Sequence, residues 1–161
     1  MMRKTLVFLL PILWALFSCS LFAENEKAPN FTLPDLEGKN FSLSDVSGKV
    51  IVLDFWATWC PPCQESVPDL VDLQSKYGVQ GLEVIGISLD RTGKRAVKPF
   101  AKKFKVNYKL LVGDFDKVVE DYGGIIGIPT LFVIDRSGNI AAKYIGYVAK
   151  EELEEQIKKL L

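Results

Sequence analysis

From Lys49 the chain reads K-V-I-V-L-D-F-W-A-T-W-C-P-P-C, ending at Cys63. A run of strand-forming residues passes directly into two cysteines separated by two prolines. Such a near-continuous apolar run suits a strand covered on both faces. Beyond it, Cys63, Val67, Leu70, Leu73 and Tyr77 recur at helical spacing until Gly78. Pro68 lies inside that helix and is expected to kink it. The stretch therefore predicts a strand, a short turn and a helix, with both thiols at the junction.

The remaining pattern builds a domain around this unit. Phe31–Leu33 and Asn40–Leu43 flank the turn cluster P-D-L-E-G-K and read as an entrance hairpin. Leu82–Leu89 is a second buried strand, and Gly93–Phe104 a helix with a solvated, lysine-rich outer face. A short strand at Lys109–Val112 and a short helix at Phe115–Tyr122 follow. Thr130–Ile134, the turn D-R-S-G-N and Ile140–Tyr144 carry a hairpin signal. Lys150–Leu161 is amphipathic, with Leu153, Ile157 and Leu160 on one face. Its acids come first and its lysines last, which suits the helix dipole. This order implies one α/β domain over residues 28–161: a mixed central sheet flanked by helices, with an N-terminal β-hairpin.

The front of the chain has another purpose. A basic start, the apolar run Leu6–Phe17 and small residues after it have the layout of an export signal over residues 1–23. Residues 24–27 then form a short linker. Cleavage after Ala23 competes with lipidation at Cys19, where L-F-S-C resembles a loose lipobox, and with an uncleaved anchor. Each route places the domain outside the cytoplasm, in a periplasm or cell envelope where disulfides persist.

Several functions are excluded by what is missing. The 161 residues contain no histidine. Zinc takes four Cys or His ligands, and only two cysteines remain beyond the signal, so no metal site is expected. No other cofactor is implied. Setting aside Arg3 and Lys4 leaves 18 basic against 20 acidic side chains, a balance without the electrostatic footprint of a nucleic-acid binder. A monomer is the default.

Cys60 falls at the start of the predicted helix, where unpaired N–H groups and the dipole favour a thiolate. Settings of this kind lower a cysteine pKa to roughly 3.5–7.5, so Cys60 is the candidate nucleophile. Cys63, one turn further in, is the candidate resolving thiol. Pro61 and Pro62 stiffen the turn and remove two donors. A structural staple is the competing use, but a loop this short stabilises little. Asp54, within the apolar strand, is costly to bury unpaired. Burial would raise its pKa and make it a proton acceptor for Cys63; a strand-end carboxylate reaching solvent is the alternative.

V-L-D-F-W-A-T-W-C-P-P-C, Pro68 five residues after Cys63, and G-I-P-T at 127–130 together resemble the thioredoxin fold. The leading hairpin, exported N-terminus and W-A-T-W-C form are most similar to the TlpA/ResA-like branch of extracytoplasmic thiol–disulfide oxidoreductases. The resemblance spans residues 28–161. It implies a redox-active Cys60–Cys63 disulfide and a cis peptide at Ile128–Pro129 facing it. It further implies a surface including Trp59, Pro61, Ile128 and Pro129 that holds client proteins with disulfides, and a membrane electron donor. Asp54 coincides with the buried aspartate of thioredoxins, where many exported relatives carry asparagine. One departure concerns the glutamate that cytochrome c maturation members carry three residues after the second cysteine. Ser66 stands there, and Glu65, turned by about 100°, points elsewhere. A peroxidase shares the fold, but the P-x-x-x-T-x-x-C pattern has Leu53 and Ala57 at its Pro and Thr. Asp54 and the G-I-P-T loop resemble reducing thioredoxins, so a reductase is favoured over an oxidant, an isomerase or a non-catalytic peptide-binding module.

Overall fold

The computed structural model describes residues 26–161. Strands β1 (Thr32–Pro34) and β2 (Asn40–Ser42) form the antiparallel entrance hairpin. The central sheet contains β3 (Val50–Trp56), β4 (Leu82–Ser88), β5 (Lys109–Leu111), β6 (Thr130–Ile134) and β7 (Ile140–Ile145), in the order β5-β4-β3-β6-β7. It is mixed: β3 pairs in parallel with β4, and β4 with β5, while β6 lies antiparallel to both β3 and β7. The helices are α1 (Pro61–Tyr77), α2 (Lys94–Phe104), α3 (Asp116–Asp121) and α4 (Lys150–Leu160).

Every residue of β3 is buried, as suits a run apolar at all positions but Asp54. Alternation sends Ile51, Leu53 and Phe55 to one face, against Phe31, Leu33 and Phe41 of the hairpin region and Val118 and Tyr122 around α3. Val50 and Val52 meet Leu70 and Leu73 of α1 and Leu153 and Ile157 of α4 on the other face. Trp56 packs there with Cys63, Val67, Val97 and Phe100, joining α1 to α2. Each fully covered Leu or Val contributes about 1.5–3 kcal/mol.

The sequence-derived elements recur with ends shifted by a residue or so. Helix α1 runs through Pro68 without ending, and Leu160 is only partly buried. Lys27, read as part of a linker, already bridges to Asn139, and the Glu26 carbonyl accepts from Ile140 N–H at 2.8 Å. The signal over residues 1–23, its cleavage after Ala23 and the lipidation candidate Cys19 lie outside the described residues. No helix among the described residues is long and apolar enough to cross a membrane.

Candidate active site

Strand β3 ends at Trp56 and the chain turns through Ala57–Cys60 into α1. Cys60 is the N-cap, extended at φ −94° and ψ 110°, which aims its side chain back over the first turn. Cys60 and Cys63 are joined as a disulfide with Cα atoms 5.2 Å apart. The Cys63 N–H donates to Cys60 Sγ at 3.3 Å. Pro61 and Pro62, with no N–H to offer, occupy the first two helical positions. Cys63 is fully buried and Cys60 is 3% exposed, whereas Trp59 stands 67% exposed beside them. Pro61 is exposed as well.

The Ile128–Pro129 peptide is cis, as the resemblance implies. The Ile128 carbonyl oxygen lies 3.6 Å from Cys60 Sγ, which sets this loop against the disulfide. Two further contacts fix the loop. Thr130 Oγ1 donates to the Gly127 carbonyl at 2.7 Å, and Gly146 N–H donates to the Pro129 carbonyl at 2.7 Å. Gly146 sits at φ +88°, a conformation that side chains disfavour. Tyr147 hydroxyl then donates to Asp69 Oδ2 on α1 at 3.2 Å, tying the segment after β7 to the helix that carries the thiols. Trp59, Ile126, Ile145 and Tyr147 are exposed apolar or aromatic side chains. Clefts of about 220 and 320 Å³ lie elsewhere, one between Lys49 and Arg136 and one beside Tyr108, and neither includes a sulphur of the pair.

Asp54 is 1% exposed, so the solvent-reaching alternative does not hold. It lies between Val52 and Trp56 on the face of β3 that α1 covers. Its Oδ1 has no hydrogen-bond partner within the described residues. Burial alone pushes its pKa from 3.8 up to about 7. The partly buried Tyr108 phenol is pushed up too, by desolvation and then by the Asp54 charge. Opposite Asp54 on β4 stands Gly86, where a Cβ would come within 2.8 Å of both Trp56 Nε1 and Leu110 Cδ2. Only glycine admits the indole there.

Ser66, at the position of the missing glutamate, is buried and donates to the Pro62 carbonyl at 3.0 Å. Glu65 is exposed. The pattern did not reveal Asp90, Thr58, Ser88 and Gln64, which converge on the turn before Cys60. Asp90 Oδ2 accepts from Thr58 N–H at 2.9 Å and from Ser88 Oγ at 2.8 Å, and Oδ1 accepts from Thr58 Oγ1 at 2.6 Å. Gln64 Nε2 donates to the Thr58 carbonyl at 2.8 Å. A polar residue just after a buried strand was the available signal, but its partner lies 32 positions earlier.

Comparison with known proteins settles the family. The model described as the AhpC/TSA family matches residues 25–143. The chain belongs to the AhpC/TSA family. Within it the chain is ResA-like: it is 38% identical over 135 residues to the thiol-disulfide oxidoreductase ResA of Bacillus thuringiensis subsp. konkukian (strain 97-27), covering 84% of this chain and 77% of that one. The thioredoxin-like protein YneN of Bacillus subtilis (strain 168) is 32% identical over 136 residues, covering 83% and 78%. A solved thiol:disulfide interchange protein of the thioredoxin family from Chlorobium tepidum TLS gives a TM-score of 0.78 at 32% identity, covering 86% and 97%. This ResA-like chain is accordingly a thiol–disulfide oxidoreductase of thioredoxin fold, with Cys60–Cys63 as its C-x-x-C pair.

Proposed function

We propose that the protein is an exported disulfide reductase acting on protein disulfides. The Cys60 thiolate attacks a client disulfide, forming a mixed disulfide and releasing one client thiol. Cys63 gives its proton to Asp54 and attacks Cys60 Sγ. That step closes the Cys60–Cys63 disulfide and releases the second client thiol, so two electrons pass to the client. A dithiol donor at the membrane then reduces the pair. Trp59, Pro61, Ile128 and Pro129 hold the client segment, with the backbone before Pro129 adding to it as a strand.

The observation that carries this reading is the buried Asp54 carboxyl on the α1-covered face, whose Oδ1 has no partner among the described residues and whose pKa is raised to about 7. A group titrating there takes a thiol proton near neutral pH. The signal-like residues 1–23 support export, to the periplasm or cell envelope, and Cys19 or an uncleaved signal would supply an anchor.

The test is the reduction potential of the pair, on the chain from Glu24, which includes every described residue. Equilibration in dithiol/disulfide buffers and alkylation of free thiols gives the value. A potential near about −270 mV or lower supports the reductase. A potential of about −120 to −180 mV would overturn it in favour of an oxidant or isomerase. A pair that never titrates would leave only a peptide-binding module.

A further inference from the structure

Cys60 has an unusual problem for a thiolate at a helix N-terminus. The first two helical residues are prolines, so two of the backbone donors that such a site normally offers are missing. The Cys63 N–H, 3.3 Å from Cys60 Sγ, is the backbone donor the first turn presents to it. One donor tolerates little misplacement, because a hydrogen bond weakens steeply with distance and angle. Something must hold the turn that delivers Cys60 to this spot.

We propose that Asp90 is the positioning residue for Cys60, acting through Thr58. Thr58 stands two residues before Cys60, and all three of its hydrogen-bonding groups are held from other elements. Its N–H and hydroxyl both donate to the Asp90 carboxylate, at 2.9 and 2.6 Å. Its carbonyl accepts from Gln64 on the first turn of α1 at 2.8 Å. Asp90 is itself only 6% exposed and is fixed by Ser88: the Ser88 hydroxyl donates to Oδ2 at 2.8 Å, and the Asp90 N–H donates back to Ser88 Oγ at 3.1 Å. The end of buried β4 is thereby joined to the turn after buried β3. Both strands are rigid, so the clamp transmits their fixed separation to the Trp59–Cys60 segment. Asp90 touches no reacting atom; its effect is on where Cys60 Sγ sits relative to the Cys63 N–H.

The clamp calls for geometry rather than charge. An asparagine at position 90 keeps every bond: its oxygen accepts from Thr58 N–H and Ser88, and its amide donates to Thr58 Oγ1. Alanine keeps none. Serine at 58 keeps the hydroxyl bond and valine loses it without altering charge.

The experiment is alkylation of reduced Cys60 by iodoacetamide across pH, with the rate of reduction of a small aromatic disulfide and a urea midpoint for each chain. It rests on Cys60 being the attacking thiol, and the parent protein tests that separately: a parent whose Cys60 shows no lowered pKa sinks the functional reading before any variant is compared. Asp90→Ala and Thr58→Val are expected to slow disulfide reduction about tenfold and raise the apparent Cys60 pKa by about one unit. Asp90→Asn and Thr58→Ser are expected to stay within about threefold of the parent. If Asp90→Ala fails to fold, the Thr58→Val and Thr58→Ser pair carries the test. Parental rates and pKa in a folded Thr58→Val chain would overturn the proposal. So would an Asp90→Asn chain as slow as Asp90→Ala, since charge and not position would then be responsible.

Discussion

Two buried aspartates, Asp54 within β3 and Asp90 two residues beyond the end of neighbouring β4, are opposites. Asp90 is 6% exposed and both its oxygens are occupied, by the Thr58 N–H, the Thr58 hydroxyl and Ser88. Asp54 is 1% exposed, its Oδ1 meets no donor among the described residues, and its pKa rises to about 7. An anion supplied with donors is a fixture, because removing it strands three groups at once. An anion without them is held close to neutrality and exchanges a proton readily. Burial is common to both; the partners decide which becomes structure and which becomes chemistry.

The two carboxylates bear on function only if the Cys60–Cys63 thiols do the work. Cys60→Ser is expected to abolish disulfide reduction, by about a thousandfold or more, in an assay with a peptide disulfide. Cys63→Ser is expected to accumulate a mixed disulfide visible by mass. Next in size, Asp54→Asn is expected to slow the resolving step about a hundredfold. In the parent that step is expected to accelerate as pH rises through about 7, as Asp54 loses its proton, and in Asp54→Asn this rise is expected to disappear. Single-turnover kinetics across pH would show both.

Stability sharpens the same comparison by sign. At pH 8, Asp90→Ala is expected to lose about 2–4 kcal/mol, from buried donors left unpaired. Asp54→Asn is expected to gain stability there, because an ionised, unpartnered carboxylate is removed. Urea unfolding of the oxidised chains would show the opposite signs. The smallest effect is at the surface. Trp59→Ala is expected to change stability by no more than about 0.5 kcal/mol, yet to slow reduction of a peptide client several-fold while leaving a small disulfide unaffected.

The sequence exposed the parts of the site that are contiguous or periodic. The apolar run of β3, the helical spacing from Cys63 to Tyr77 and the C-P-P-C turn lie in one stretch, so local pattern places them. Asp54 could be singled out because a carboxylate inside an apolar run has no ordinary explanation. The cis bond at Ile128–Pro129 came from family likeness, not from spacing. What stayed hidden depends on contacts across the sheet. Gly86 reads as a weak point in a strand until the Trp56 indole is seen to fill the space its Cβ would take. Asp90 and Thr58 read as loop residues, and only the parallel pairing of β3 with β4 brings the ends of those strands together. Tyr147 and Asp69 meet because β7 delivers the chain over α1, a meeting 78 positions apart.

The most direct measurement is the stability of the oxidised parent and of Asp54→Asn by urea unfolding from pH 4 to pH 9, read as a difference. The native Asp54 pKa lies above the unfolded value of 3.8, so between 3.8 and about 7 the unfolded chain has lost a proton that the native one keeps. Parental stability therefore falls as pH rises through that window and levels off above it. The predicted difference grows from near zero at pH 4 to as much as about 4 kcal/mol in favour of Asp54→Asn above pH 7. A difference that stays flat across the range would contradict it, and Asp54 would then be no proton acceptor for Cys63.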